Sequence, residues 1–141
     1  MSKIFEKVLA ADLTALSACM EECTSFLEES GIPADATFAA NLSLEEMITN
    51  SIKYGYEVED AHEITVRISV EPAQFTLEIF DDGGEFDPFI QAPPDLSLPA
   101  EERPIGGLGI HLVKNLMTSC HYQRENGVNH VTLVKSWSEE N

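Results

Sequence analysis

The chain has 141 residues, of which 25 are acidic and 8 are basic, so its formal net charge at pH 7 is -17. This charge repels phosphate backbones and anionic lipid surfaces at long range, so neither nucleic acid nor a membrane surface is an expected partner. No stretch approaches the ~20 apolar residues that cross a bilayer, and the N-terminal residues lack the long apolar run of a signal peptide. We therefore expect one compact cytoplasmic domain spanning residues 1–141.

The first elements are predicted to be a strand and a helix. Lys3–Ala10 suits a strand, and Asp12 can accept backbone N–H groups at the start of a helix. Gly31 and Pro33 end that helix. Its apolar positions follow the helical period and are Leu13, Leu16, Met20, Cys23 and Leu27.

A second helix follows, for which Asp35 is the N-cap candidate. It runs to Tyr54, where Gly55 breaks it. Two cysteines of the first helix, Cys19 and Cys23, lie one turn apart among apolar residues, which favours core packing over a metal site.

The apolar period then changes from helical to alternating. Residues 64–70 and 75–79 are predicted strands, joined as a hairpin at residues 71–74. A long segment at residues 82–107 is predicted to be a lid or binding loop, because prolines forbid regular structure over most of it. These prolines are Pro88, Pro93, Pro94, Pro99 and Pro104.

The last elements are a short helix at residues 108–118 and strands at residues 120–124 and 130–135, with a hairpin turn at Asn126 and Gly127. Trp137 and the acidic tail are expected to trail off the last strand. The order of elements predicts an α+β two-layer sandwich, in which about three helices cover one face of a mainly antiparallel sheet.

The second helix carries the first motif with chemical potential. Glu46, Asn50 and Lys53 are spaced by four and three residues, so they share one helix face. A carboxylate, an amide oxygen and an ammonium suit proton transfer, Mg²⁺ ligation and phosphate pairing. By itself the pattern is more typical of a solvated helix face.

The second motif follows the strand at residues 75–79. Asp81 at the strand end is placed to accept a hydrogen bond from an amino group such as that of adenine, and Gly83 gives the chain access to backbone angles closed to other residues. By itself, a simple Asp-Gly turn is the competing interpretation.

The third motif is a glycine cluster, Gly106, Gly107 and Gly109, that leads directly into an apolar helix. Backbone N–H groups at a helix start, with the helix dipole behind them, can cradle phosphate. The cluster lacks the lysine of a Walker loop and does not follow a strand as a dinucleotide fingerprint does.

In this order the three motifs resemble the N, G1 and G2 boxes of the GHKL superfamily of ATPases. Their sequences are most similar to those of the anti-sigma-factor serine kinases. The resemblance implies the Bergerat ATP-binding fold and the binding of ATP and Mg²⁺. It also implies that Glu46 is the general base and that Asn50 is a Mg²⁺ ligand. The chain departs from the family at Glu85, where a second glycine is common, and at Tyr54, where histidine is frequent. The residues that the resemblance places at the nucleotide are Asn50, Lys53, Asp81, Gly83, Phe86, Arg103, Gly107, Leu108, Gly109 and Ile110.

The resemblance implies a kinase that phosphorylates a serine or threonine on an anti-sigma-factor antagonist, a small STAS-like protein whose unphosphorylated form displaces a sigma factor. A homodimer would fit it. Two alternatives stay open. The first is a nucleotide-gated binding module that transfers no phosphate. The second is the catalytic half of a histidine kinase, which is less expected because no phosphoacceptor-bearing helical hairpin precedes the domain.

Overall fold

The computed structural model describes residues 3–54, 62–90 and 107–138. Within these ranges it contains five strands and three α-helices. The strands are β1 Lys3–Ala10, β2 Glu63–Glu71, β3 Gln74–Asp81, β4 Ser119–Glu125 and β5 Val128–Ser136, and the helices are α1 Leu13–Glu29, α2 Ala34–Tyr54 and α3 Gly107–Leu116. A 3₁₀ turn, Pro88–Ile90, follows β3.

The strands form one antiparallel sheet in the order β1-β2-β3-β5-β4. The predicted hairpin between β2 and β3 is confirmed, with Glu71 opposite Gln74. The β4–β5 turn is also confirmed, and Asn126 and Gly127 have φ values of 53° and 78°. Positive φ at both central residues is the geometry that matches the twist of a two-residue hairpin.

One face of the sheet and the three helices enclose the core. Alternate residues of β2 and β3 are buried, while their neighbours on the other face, such as Arg67 and Glu78, are partly exposed and form an ion pair. This arrangement confirms the predicted α+β sandwich. The largest fully buried side chains include Phe75, Leu27, Leu44, Ile48, Ile64, Ile68, Leu77, Ile79, Leu133 and Val113.

Cys19 and Cys23 are both buried in this core, with their sulfur atoms 3.8 Å apart, so the predicted packing role is confirmed. None of the helices in the described part of the chain combines the length and apolarity that a bilayer crossing requires.

Two local predictions were wrong. Asp35 lies inside the first turn of α2 and does not cap it, because the helix already begins at Ala34 and Pro33 accepts its first backbone hydrogen bond. Trp137 does not trail off β5, because its backbone N–H donates to the Ala73 carbonyl and its ring centroid lies 6.2 Å from that of Phe75.

Asp12 is the N-cap of α1, and its carboxylate accepts the Ala15 N–H at 2.7 Å. Replacing Asp12 by Ala should therefore lower the free energy of unfolding by about 1 kcal/mol. Asp35→Ala is the matched control and should cost only a few tenths of a kcal/mol, since Asp35 affects α2 through the helix dipole alone. Urea denaturation of both variants tests the difference, and equal losses would contradict the capping assignment.

Candidate functional site

The three sequence motifs converge on one end of the sheet, where the C-terminal half of α2, the end of β3 and the start of α3 meet. A cavity lies between α2, β3, β5 and the segment that follows β3. Its free volume is about 10 Å³, which is roughly what a single water molecule needs. The described residues that line it are Met47, Asn50, Ser51, Asp81, Phe86, Pro88, Asn129 and Val131.

The carboxylate of Asp81 is the central polar group of this cavity, and the residue is only 7% exposed. Its Oδ1 accepts the Gly83 N–H at 2.9 Å and the Asn129 side-chain amide, also at 2.9 Å. Its Oδ2 accepts the Ser51 hydroxyl at 2.9 Å. A buried carboxylate is costly unless donors compensate it, and here three donors from three parts of the chain do so.

Asn129 links Asp81 to the neighbouring hairpin. It lies directly opposite Asp81 in the β3–β5 register and is 3% exposed. Its Nδ2 donates to Asp81 and, at 2.8 Å, to the Gly84 carbonyl. Its Oδ1 accepts the Tyr122 hydroxyl and, at 2.8 Å, the Arg124 guanidinium. The carboxylate is therefore held by a network that extends to β4.

Glu46 lies on the same end of α2, and its pKa is raised. Burial is the main cause, because it disfavours the charged form; the negative charge of Glu45 adds to the rise, and Lys53 opposes it. The Glu46 carboxylate contacts the first turn of α3 so closely that a Cβ at Gly109 would overlap it. A side chain at position 109 would therefore displace the Glu46 carboxylate from the first turn of α3.

The remaining α2 candidates differ in environment. Asn50 is buried, and its Nδ2 has no hydrogen-bond partner among the described residues. An amide donor in such a position costs free energy unless a bound group completes it. Lys53 is exposed in the last turn of the helix.

At α3, the helix begins at Gly107 and passes through Leu108 and Gly109, which places these three backbone N–H groups in the first turn. The N–H groups of a first helical turn have no partner inside the helix, and the helix dipole makes the position favourable for an anion. The side chain of Ile110 is buried in the core, so this residue offers only its backbone.

The first part of the expected lid, residues 82–90, lies within the described part of the chain. Gly83 is buried, but it does not have the positive φ that would require a glycine; its carbonyl accepts the Arg124 guanidinium at 3.0 Å. Further on, the Phe89 N–H donates to Asp87 at 2.9 Å, and its carbonyl accepts Lys114 of α3 at 3.1 Å. Residues 91–106, which include Arg103, lie outside the described part of the chain.

Sequence reasoning missed Ser51, Tyr122, Arg124 and Asn129. A signal for Asn129 was present, because positions 129, 131 and 133 occupy the inward phase of β5 and only position 129 is polar. Ser51 directly follows Asn50 in the chain. Its side chain points toward Asp81 only because of the way α2 packs against β3, which the sequence alone does not show.

Comparison with known proteins gives a consistent result. The family model described as the histidine kinase-like ATPase domain matches residues 9–135. Among similar proteins, the serine-protein kinase RsbW of Listeria monocytogenes is 31% identical over 124 residues, which cover 81% of this chain and 78% of that protein. The serine/threonine-protein kinase BtrW of Bordetella bronchiseptica is 26% identical over 103 residues, covering 73% and 72%.

A crystal structure of the RsbU and RsbW domains of Rv1364c from Mycobacterium tuberculosis has the same fold, with a TM-score of 0.63 at 13% identity. The match covers 95% of this chain and 32% of that one, so the present chain spans about a third of the larger protein.

The contact between Glu46 and Gly109 yields a specific prediction. Gly109→Ala should be nearly neutral for the free energy of unfolding, because the methyl group displaces the flexible end of the Glu46 side chain and this cost offsets the preference of a helix for alanine over glycine, which is ~1 kcal/mol. In a Glu46→Ala background no carboxylate is displaced, so the same change should raise the free energy of unfolding by ~1 kcal/mol. A double-mutant cycle by urea denaturation measures the coupling. An equal effect of Gly109→Ala in both backgrounds would show that the two residues do not interact.

Proposed function

Because the chain belongs to the family of histidine kinase-like ATPase domains, we propose that it binds Mg-ATP in the cavity beside Asp81 and phosphorylates a serine or threonine of a protein partner. The observation that carries the proposal is the position of Glu46: a carboxylate with a raised pKa lies against the helix turn best suited to hold phosphate. A proton acceptor and an anion site therefore adjoin each other.

In this proposal the base of the nucleotide occupies the cavity. Asp81 accepts a hydrogen bond from the adenine amino group, Gly83 holds the carboxylate in place, and Phe86 packs against the ring. Because the free volume is only about 10 Å³, a purine enters only after a lining side chain moves. Phe86 lies in the first part of the proposed lid, so it is the lining residue whose movement would open the cavity.

The phosphates extend from the base toward α3. The backbone N–H groups of Gly107, Leu108, Gly109 and Ile110 would donate to them, Lys53 would approach them from α2, and Arg103 is a further candidate for a phosphate contact. We assign the lid to residues 82–107 and treat residues 1–141 as one ATP-binding domain.

The residues at the site fit one Mg²⁺ ion. Mg²⁺ commonly takes one or two protein ligands and completes its shell with phosphate oxygens and water. Asn50 is buried beside the cavity, and its Nδ2 donor has no partner among the described residues, so an acceptor such as a phosphate oxygen would complete it. Its amide oxygen would hold the ion, and the ion would neutralise charge on the transferring phosphate.

Transfer requires that a hydroxyl of the partner lose its proton. Glu46 accepts that proton as the hydroxyl oxygen bonds to the terminal phosphorus and the bond to the leaving ADP breaks. Burial supports this role, because a raised pKa brings the carboxylate closer to the operating pH of a general base.

The names of the relatives guide the proposed partner. RsbW is named a serine-protein kinase and BtrW a serine/threonine-protein kinase. We therefore propose that this chain phosphorylates an STAS-like anti-sigma-factor antagonist in the cytoplasm, acts as a homodimer, and binds a sigma factor when the antagonist is phosphorylated. The competing function is a nucleotide-gated binding module without phosphate transfer.

The two functions differ in their dependence on Glu46. Glu46→Ala should slow phosphate transfer ~10²–10⁴-fold and spare ATP affinity, because a general base acts on the transfer step and not on binding. The assay combines the protein, labelled ATP and a purified STAS-domain protein from the same genome. The parental rate should also fall as the pH drops through the raised Glu46 pKa.

Glu45→Ala is the matched control, since the adjacent side chain is exposed and points about 100° away around the helix. Transfer by Glu46→Ala at the parental rate would remove Glu46 as the base. A parent protein that binds the antagonist in the presence of ATP, yet never phosphorylates it, would favour the binding module.

A further inference from the structure

We propose that Asn129 makes the base site selective for adenine over guanine by occupying one oxygen of the Asp81 carboxylate. The inference deepens the proposed function and rests on it, because it assumes that Asp81 contacts the base. It concerns the discrimination between purines, which depends on how many hydrogen bonds the carboxylate can still accept.

The hydrogen bonds of Asp81 leave a single acceptor position open. Each oxygen of a carboxylate accepts about two hydrogen bonds. Oδ1 already accepts two, from the Gly83 N–H and from Asn129, both at 2.9 Å. Oδ2 accepts one, from the Ser51 hydroxyl at 2.9 Å. The carboxylate thus has spare capacity on Oδ2 alone.

The two purines need different acceptors. Adenine presents one exocyclic amino group and requires one acceptor for it. Guanine carries an acceptor, O6, at the corresponding position, and its own N–H donors lie side by side at N1 and N2. Two parallel donors are satisfied by a carboxylate that offers both of its oxygens, as in bidentate pairs. Asp81 cannot do so while Asn129 occupies Oδ1.

The orientation of Asn129 is fixed by its surroundings. Its Nδ2 faces the acceptors Asp81 Oδ1 and the Gly84 carbonyl, whereas its Oδ1 faces the donors of Tyr122 and Arg124. If the amide were rotated by half a turn, its oxygen would face the two acceptors and its NH₂ group would face the Arg124 guanidinium. Several hydrogen bonds would then be lost. These four contacts favour the orientation in which Asn129 donates to Asp81.

Ser51 provides a matched comparison, because it donates the same kind of hydrogen bond to the other oxygen. Removing the Ser51 hydroxyl frees a second position on Oδ2 but leaves Oδ1 full, so guanine still meets one usable oxygen. Removing the Asn129 donor frees a position on Oδ1, so both oxygens become available. Asn129→Val removes more than Ser51→Ala does, because the Asn129 amide also contacts the Gly84 carbonyl, Tyr122 and Arg124. The two deletions nevertheless differ in their consequence for guanine, because only the first frees a position on Oδ1.

The experiment measures the affinities of ADP and GDP with Mg²⁺ by calorimetry, which avoids any turnover. The parent should bind ADP more tightly than GDP. Asn129→Val should reduce this preference about 10-fold, because GDP gains one charge-assisted hydrogen bond. Ser51→Ala should keep the preference within about threefold of the parental value. Asn129→Thr has the shape of the valine variant with a hydroxyl donor and should restore the preference, a result that a merely structural role for position 129 does not predict.

The outcomes separate the inference from its premise. If the valine variant keeps the parental preference, or if the serine and asparagine variants lose it equally, the inference is wrong and the nucleotide site stands. If Asn129→Val does not fold, a threonine variant that has lost the preference in a folded protein contradicts the inference equally well. If the parent binds neither ADP nor GDP, the proposed function itself fails.

Discussion

A carboxylate buried at the end of a strand is the constraint on which the rest of this site depends. Asp81 is stable there because donors reach it from α2, from the chain just beyond β3 and from β5. Any loss of alignment among these elements would leave a charge without compensation, which is far more costly than the loss of one neutral hydrogen bond. The same hydrogen bonds therefore fix the helix, the first residues of the lid and the last hairpin relative to one another.

A second contact connects this region to α3. The Glu46 carboxylate lies directly on Gly109, so the side chain proposed as the proton acceptor adjoins the helix turn that suits phosphate. Lys114 of α3 also holds the carbonyl of Phe89, beyond the cavity-lining Phe86 and Pro88. This hydrogen bond joins α3 to the segment that carries these two cavity-lining residues.

The fold was largely predictable from the sequence, because the period of apolar residues changes sharply between helices and strands and the turns carry specific residues. The Asn126-Gly127 turn set the last hairpin in register. Local rules did not distinguish Asp12, which caps its helix, from Asp35, which lies one residue inside. They also missed Trp137, whose packing against Phe75 depends on the tertiary arrangement.

The site was predictable only where its residues form motifs. Glu46, Asn50 and Asp81 stood out by spacing and by position at an element's end, but Asn129 becomes visible only once the β3–β5 register places it opposite Asp81. The contact between Glu46 and Gly109 likewise joins residues far apart in the chain. Roles that depend on pairing between distant elements require the assembled fold, whereas motifs can be found without it.

The most direct test is the crystal structure of the protein with Mg²⁺ and a nonhydrolysable ATP analogue. The account predicts that the adenine amino group donates to Oδ2 of Asp81, that Phe86 has moved to admit the ring, and that the phosphates lie on the first turn of α3 beside Glu46. A nucleotide bound elsewhere on the protein, with the Asp81 network and the cavity unchanged, would contradict it.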